Sequence, residues 1–237
     1  MLIWALVLAL AALVPTGLRL WRTALSERAP VEALLDSGLT VESLPPYAGA
    51  LSVELEQDAP RLSPRALPPE ALVRLSELDA LGRTGPALAV VGPESLPTEP
   101  RGEIGQVRPA GFQNIRYDDL IEDHYLYNRC HLIAYQLSGI NADPRDLFTG
   151  TRHLNVEGML PWENQLAAYV RQSGFHVLYR VTPLYGSGEL VPRAVELEAV
   201  SMEDLGRGLR FHKLIYNIQP GIVIDYRDGS SRRAETP

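Results

Sequence analysis

Apolar and polar positions alternate with a period of two along much of this chain, and prolines and glycines divide the alternation into short pieces. Leu51 to Leu55 has one apolar and one wet face and reads as a strand. Ala87 to Val91 is a continuous apolar run and reads as a strand buried on both faces. Tyr125 to Ile133 alternates bulky and polar groups as a third strand. Its continuation, Tyr135 to Gly139, enters a turn-rich connection, and Leu147 to Thr149 forms a further short strand. Helical spacing follows. Backbone from Arg152 to Glu157 begins a helix, Pro161 suits a first turn, Trp162, Leu166, Tyr169 and Val170 share a face, and Gly174 is placed to end it. A second helix is predicted over Glu70 to Leu81, ended by Gly82, and a short one around Val31 to Leu35.

After Gly174 the pattern returns to period two. His176 to Thr182, Val195 to Val200, Phe211 to Ile218 and Gly221 to Tyr226 are predicted strands, with a hairpin signal at Gly186-Ser187-Gly188. Strands surrounding one principal helix define an α+β fold on a mixed, mainly antiparallel sheet.

The ends differ from this body. Residues 1 to 18 are almost wholly apolar and are followed by Arg19 and Arg22, a length at the lower edge of what spans a bilayer. No basic residue precedes the run, so the charged start of an ordinary secretory signal is missing. Residues 1–23 are expected to be a signal peptide or a membrane anchor, either of which places the rest outside the cytoplasm. Residues 24–43 read as a stalk or linker, 44–227 as one domain and 228–237 as a flexible tail. The single cysteine, Cys130, rules out an intramolecular disulfide and a cysteine-built zinc site, and reads as a small buried apolar group.

The candidate chemistry is concentrated between Tyr125 and Asn164, where His131, Asn155, Glu163 and Asn164 occur with Arg129, Arg145 and Arg152 between apolar anchors. An imidazole accompanied by amide and carboxylate oxygens has the ingredients for metal-assisted attack on a phosphodiester. Taken singly, His131 could be a packed histidine, Asn155 a cap, and Glu163 a first-turn acid that favours the positive end of its helix. Arg129 could support the site, bind a phosphate or tie its strand to an acid. His124, His153, His176 and His212 read as structural.

Asn128-Arg129-Cys130-His131 followed by Asn155 resembles the streptococcal type of DNA/RNA non-specific endonuclease, a branch of the ββα-metal nucleases. The wider family pattern is Asp-Arg-Gly-His, so Asn128 and Cys130 depart from it while matching the streptococcal form. Ser76 to Asp79, Leu81 to Arg83 and Arg101 to Arg116 are also similar to that family, extending the resemblance over about residues 44 to 227. It implies a ββα core in which His131 is the general base and Asn155 the protein ligand of a divalent ion. Glu163 and Asn164 would act through the metal's waters, and Arg129 would belong to the catalytic group. Mg²⁺ is the expected ion, with Mn²⁺ as an alternative, and the expected products carry 5′-phosphates. The polymer is DNA, with RNA as a second candidate. Arg101, Arg116, Arg152 and Arg180 are candidate phosphate clamps, because a planar guanidinium matches two phosphate oxygens.

Charge opposes a tight nucleic-acid binder. The formal net charge is −7, and between Arg101 and Thr182 there are 8 arginines against 9 acids. Weak, salt-sensitive binding without base readout is expected. Two other readings fit the same residues: an exported DNA-binding or uptake factor with little hydrolysis, and a delivered antibacterial nuclease toxin with a cognate inhibitor as partner. The membrane is a further partner if the leading segment is retained.

Overall fold

The computed structural model describes residues 30–235, so the expected signal or anchor at residues 1–23 lies outside the described residues. The strands are β1 (Ser52–Glu54), β2 (Leu72–Leu75), β3 (Ala87–Val91), β4 (Tyr127–His131), β5 (Leu147–Thr151), β6 (Val177–Leu184), β7 (Ala194–Ser201), β8 (Arg210–Tyr216), β9 (Ile222–Ile224) and β10 (Ser231–Arg233). Six of them form one sheet in the order β1-β8-β7-β6-β3-β2, with every pair antiparallel. β4 and β5 pair separately, as do β9 and β10. The helices are α1 (Tyr135–Ser138) and α2 (Leu160–Ser173), the latter continuous with a π-helical turn over Leu154–Met159.

Strand periodicity builds two layers onto the sheet. On one face Ala89, Tyr179, Val181, Leu197, Ala199 and Phe211 meet Leu132, Phe148, Leu154, Leu166 and Val170 from the β4–β5 ribbon and α2, giving the main core. Gly158 lets the helical segment approach the sheet, since a Cβ there would lie 2.5 Å from Ile215 Cγ2. Gly174, at φ 70°, ends α2 as its position predicts.

The opposite face is covered by the chain's early segment. Val31, Leu34, Leu35 and Leu62 pack on Leu88, Val90, Leu178 and Val200. The segment expected to be a linker, residues 24–43, is therefore docked on the sheet wherever it is described, because its few apolar side chains complete this second layer. Buried charges fix it. Arg180 donates to the carbonyls of Leu34 at 2.7 Å and Asp36 at 2.9 Å, and the Arg61 N–H donates to Glu198 at 2.7 Å.

Three further expectations are corrected. Residues 70–81 are not helical: Leu72–Leu75 joins the sheet edge beside β3, with Val73 and Leu75 turned to the main core, and a turn built on Asp79 and Arg83 follows. The expected loose tail from Asp228 instead returns as β10, because Gly229 at φ 80° allows a tight reversal that closes through the Ser230 carbonyl and the Asp225 N–H. Residues Tyr135–Ser138 form a helical turn capped by Gly139. Among the described residues no helix is long and apolar enough to cross a membrane.

Candidate active site

Alternation along β4 sends Cys130 into the main core and leaves Arg129 and His131 on the other side of the strand. Burial pushes the Cys130 thiol well up, which suits a packing group and not a nucleophile. His131 is 7% exposed, and its Nε2 lies 2.8 Å from the carbonyl oxygen of Asn141. A carbonyl can only accept, so Nε2 carries the proton and Nδ1 presents its lone pair. Arg101 Nη2 stands 3.5 Å from that Nδ1. Burial, joined by the Arg101 charge and only partly offset by the Asn141 carbonyl, pushes the His131 pKa down to about 4. His131 is thus a neutral imidazole of fixed tautomer at physiological pH.

Asn155 stands on the π-helical turn immediately after β5. That turn is anchored at its start: Thr151 Oγ1 accepts from the Leu154 N–H at 3.0 Å and donates to the Ile218 carbonyl at 2.6 Å. Gln219 accepts from the His153 N–H at 3.1 Å, and the buried Asn217 accepts from the Thr151 N–H at 2.8 Å. The wider π turn holds Asn155 in register with the cleft, and such turns recur at functional sites. Two turns on, Glu163 points into the same cleft.

Two depressions meet at Arg101, His131 and Asn155. One, of about 220 Å³, is completed by Ala134, Tyr135, Gln136, Leu160 and Glu163. The other, of about 470 Å³, continues past Phe112, Tyr125, Asn128, Arg129 and Arg152. The structure therefore brings His131, Asn155, Glu163, Arg101, Arg129 and Arg152 to one cleft. Arg152 is ion-paired with Asp123, and Arg129 is turned to main-chain carbonyls.

The remaining candidates lie elsewhere. Asn164 is exposed one position around the helix from Glu163, outside both depressions, and accepts from Gln136 at 2.9 Å. Arg116 is paired with Asp118 beside Tyr125 and does not line the cleft. Arg180 is corrected as a phosphate clamp. Strand alternation puts it on the far face of the sheet, 3% exposed, with Nε 2.8 Å from Glu198. His124 is exposed beside Asp118, His153 faces Glu157, and His176 bridges Glu94 and Glu203. Asn141 and Tyr135 escaped the sequence reading. Asn141 reaches the site through its backbone, and no side-chain type signals that.

Oxygen donors suit a hard divalent cation. Asn155 and Glu163 supply them. The Glu163 carboxyl is 8% exposed, has no hydrogen-bond partner among the described residues, and is pushed up to about 8 by burial, against the pull of Arg101. A nearby cation is what would keep such a carboxyl ionised, so these residues fit a divalent ion. A second group, Glu196, Glu198 and His212, brings its ligand atoms within 4.8 Å of one another on the far face of the sheet. There Arg180 pairs with Glu198, and His212 has both ring nitrogens against acceptors, Glu196 at 2.7 Å and the Ala59 carbonyl at 3.2 Å. These four side chains balance in charge without an added ion.

A two-stranded ribbon and a helix that hold an imidazole, an amide and a carboxyl around one cleft define a ββα-metal nuclease core. Residues 71–202 match the DNA/RNA non-specific endonuclease family, and the chain belongs to that family of metal-dependent nucleases. Solved relatives agree. NucA from Streptococcus agalactiae with magnesium bound is 28% identical, with a TM-score of 0.62 over 70% of this chain and 79% of that one. The same protein with no metal bound gives 27% identity and a TM-score of 0.70 over 82% and 92%. Sda1 nuclease with bound zinc gives 26% identity and a TM-score of 0.58 over 69% and 81%.

Proposed function

We infer that the protein hydrolyses internal phosphodiester bonds of DNA, and of RNA as a second substrate, without sequence preference. The observation that carries this reading is the fixed tautomer of His131, whose Nδ1 lone pair opens on a cleft shared with Arg101, Asn155 and Glu163. His131 Nδ1 takes the proton from the attacking water. The Asn141 carbonyl holds the resulting imidazolium through Nε2–H. Arg101 presents positive charge to the phosphate that enters between the two depressions. Asn155 would hold the divalent ion directly and Glu163 through water, with Asn164, which accepts from Gln136 beside the same depression, acting at most through water. Bound there, Mg²⁺ or Mn²⁺ would supply charge neutralisation at the phosphate and the leaving 3′-oxygen, which leaves a 5′-phosphate product. No covalent intermediate is needed.

The nuclease domain is read as including Val31, the earliest of the described residues to join a core, with the apolar leader delivering it outside the cytoplasm as a secreted or membrane-anchored enzyme. The test is cleavage of plasmid DNA and a labelled RNA by the segment beginning at Ala24, with Mg²⁺, Mn²⁺ or EDTA. His131→Ala should remain folded and lose at least about 100-fold in rate, the scale of a lost general base. Asn155→Ala should lose metal-dependent cutting. Near-normal cutting by folded His131→Ala would remove the assigned base.

A further inference from the structure

Arg101 is delivered by an irregular stretch whose own backbone makes a single turn, closed by the Val107 N–H and the Ile104 carbonyl at 3.1 Å. Residues 99–107 form no helix or strand, and none of their side chains is buried. Its apolar side chains, Ile104 and Val107, are only part-buried, so they anchor weakly the stretch that places Arg101 3.5 Å from His131. The stretch is instead held at its carbonyls by three side chains from the body of the site. Tyr135 donates its hydroxyl to the Glu99 carbonyl at 2.8 Å, with the Pro100 carbonyl 3.2 Å away. Asn141 Nδ2 donates to the Glu103 carbonyl at 3.3 Å. Arg129 donates from Nε to the Val107 carbonyl at 2.6 Å and from Nη2 to the Gly105 carbonyl at 3.0 Å, while its guanidinium lies over the Phe112 ring, 4.2 Å from the centroid.

We propose that Tyr135, Asn141 and Arg129 are positioning residues whose shared task is to hold the Arg101 segment against the cleft. This rests on the reading of Arg101 as the phosphate-facing cation. Arg129 has three features that fit the role better than direct phosphate binding. Its fork is spent on two carbonyls, its plane is stacked, and it stands on the same strand as the base, two residues before it. Asn141 couples the two halves of the site, because its carbonyl fixes the His131 tautomer while its amide holds the Glu103 carbonyl, two residues beyond Arg101. Tyr135 stands just past the far end of β4. The three contacts are distributed along the segment at residues 99–100, 103 and 105–107, so each restrains a different part.

The experiment combines a double-mutant cycle with native-state proteolysis on the full exported segment. Tyr135→Phe, Asn141→Ala and Arg129→Lys are each made alone and in an Arg101→Ala background. If they act through Arg101, each single variant lowers kcat by about 10-fold or more with KM little changed, and most of that loss vanishes once Arg101 is absent, since residues acting as a unit are not additive. Undiminished losses in the Arg101→Ala background, or losses confined to KM, would overturn the proposal. Trypsin gives a readout independent of catalysis. Cutting after Arg101, between it and Gly102, under native conditions should be several-fold faster in Asn141→Ala and Arg129→Lys than in the parent protein, and equal rates would overturn the clamp. Were the parent protein to cut no nucleic acid at all, the functional reading would fall while the trypsin comparison still decided whether these side chains hold the segment.

Discussion

Three histidines in this protein show how environment, not residue type, sets a proton. His131 faces one carbonyl and one guanidinium, and burial with that cation pushes it down to about 4. His212 is more deeply buried, yet the Glu196 hydrogen bond and the Glu198 and Glu196 charges outweigh desolvation and raise it above the usual imidazole value. His176 is raised in the same way by Glu203 and Glu94. The sign follows from the neighbours: a cation opposes a second proton, and a carboxylate invites it. In metal-free protein, the ring signals of His131 should therefore stay those of a neutral imidazole as pH falls through 6 and titrate only near 4. Over the same range His176 and His212 should already be charged. Arg101→Ala should move the His131 midpoint upward. A His131 midpoint at the ordinary imidazole value in the parent protein would refute the assigned environment.

At the scale of elements, the sheet separates chemistry from support by the alternation of its strands. β6 turns Tyr179 to the core beneath the site and Arg180 to the other face, where it meets Glu198 and the docked early segment. Removing one member of a buried pair leaves the other without compensation, so Arg180→Ala should cost about 3–5 kcal/mol of unfolding free energy. Activity per folded molecule should be unchanged because the cleft lies on the opposite layer. Denaturant unfolding alongside cleavage checks both halves, and a specific loss of activity with stability intact would return Arg180 to the site. The same alternation explains what could be read beforehand. β3, β4, β5 and α2 were legible because apolar runs or a helical face are bracketed by turn residues, and His131, Asn155 and Glu163 fall on those elements. Residues 70–81 were not, since an apolar spacing compatible with a helix was overridden by pairing with β3. The early segment depends on contacts with distant strands, β10 is a short charged strand that only its pairing with β9 defines, and Arg180 was misplaced because its periodicity gives alternation without saying which face is wet. Asn141 acts through a carbonyl, which every residue has.

For the whole molecule, the question is how a chain of net charge −7 holds a polyanion. The cleft answers with few cations. Arg101 opens on both depressions beside His131, whereas Arg129 is committed to carbonyls and Arg152 to Asp123. Arg116, Arg145 and Arg233 are likewise paired with Asp118, with Asp143 and Glu77, and with Asp119. These five arginines therefore shape the protein and are not free to release counterions from nucleic acid. Each phosphate neutralised on duplex DNA contributes a slope of about −0.9 to the dependence of log affinity on log salt. With one uncommitted arginine in the cleft and two that could exchange partners, the slope for catalytically inactive His131→Ala in EDTA should lie between about −1 and −3. Affinity should be weak and indifferent to sequence, and Arg101→Ala should flatten the slope by about one contact. A slope near −6 or steeper would mean that a basic surface outside this cleft does most of the holding, and the protein would then be built to stay on its polymer between cuts.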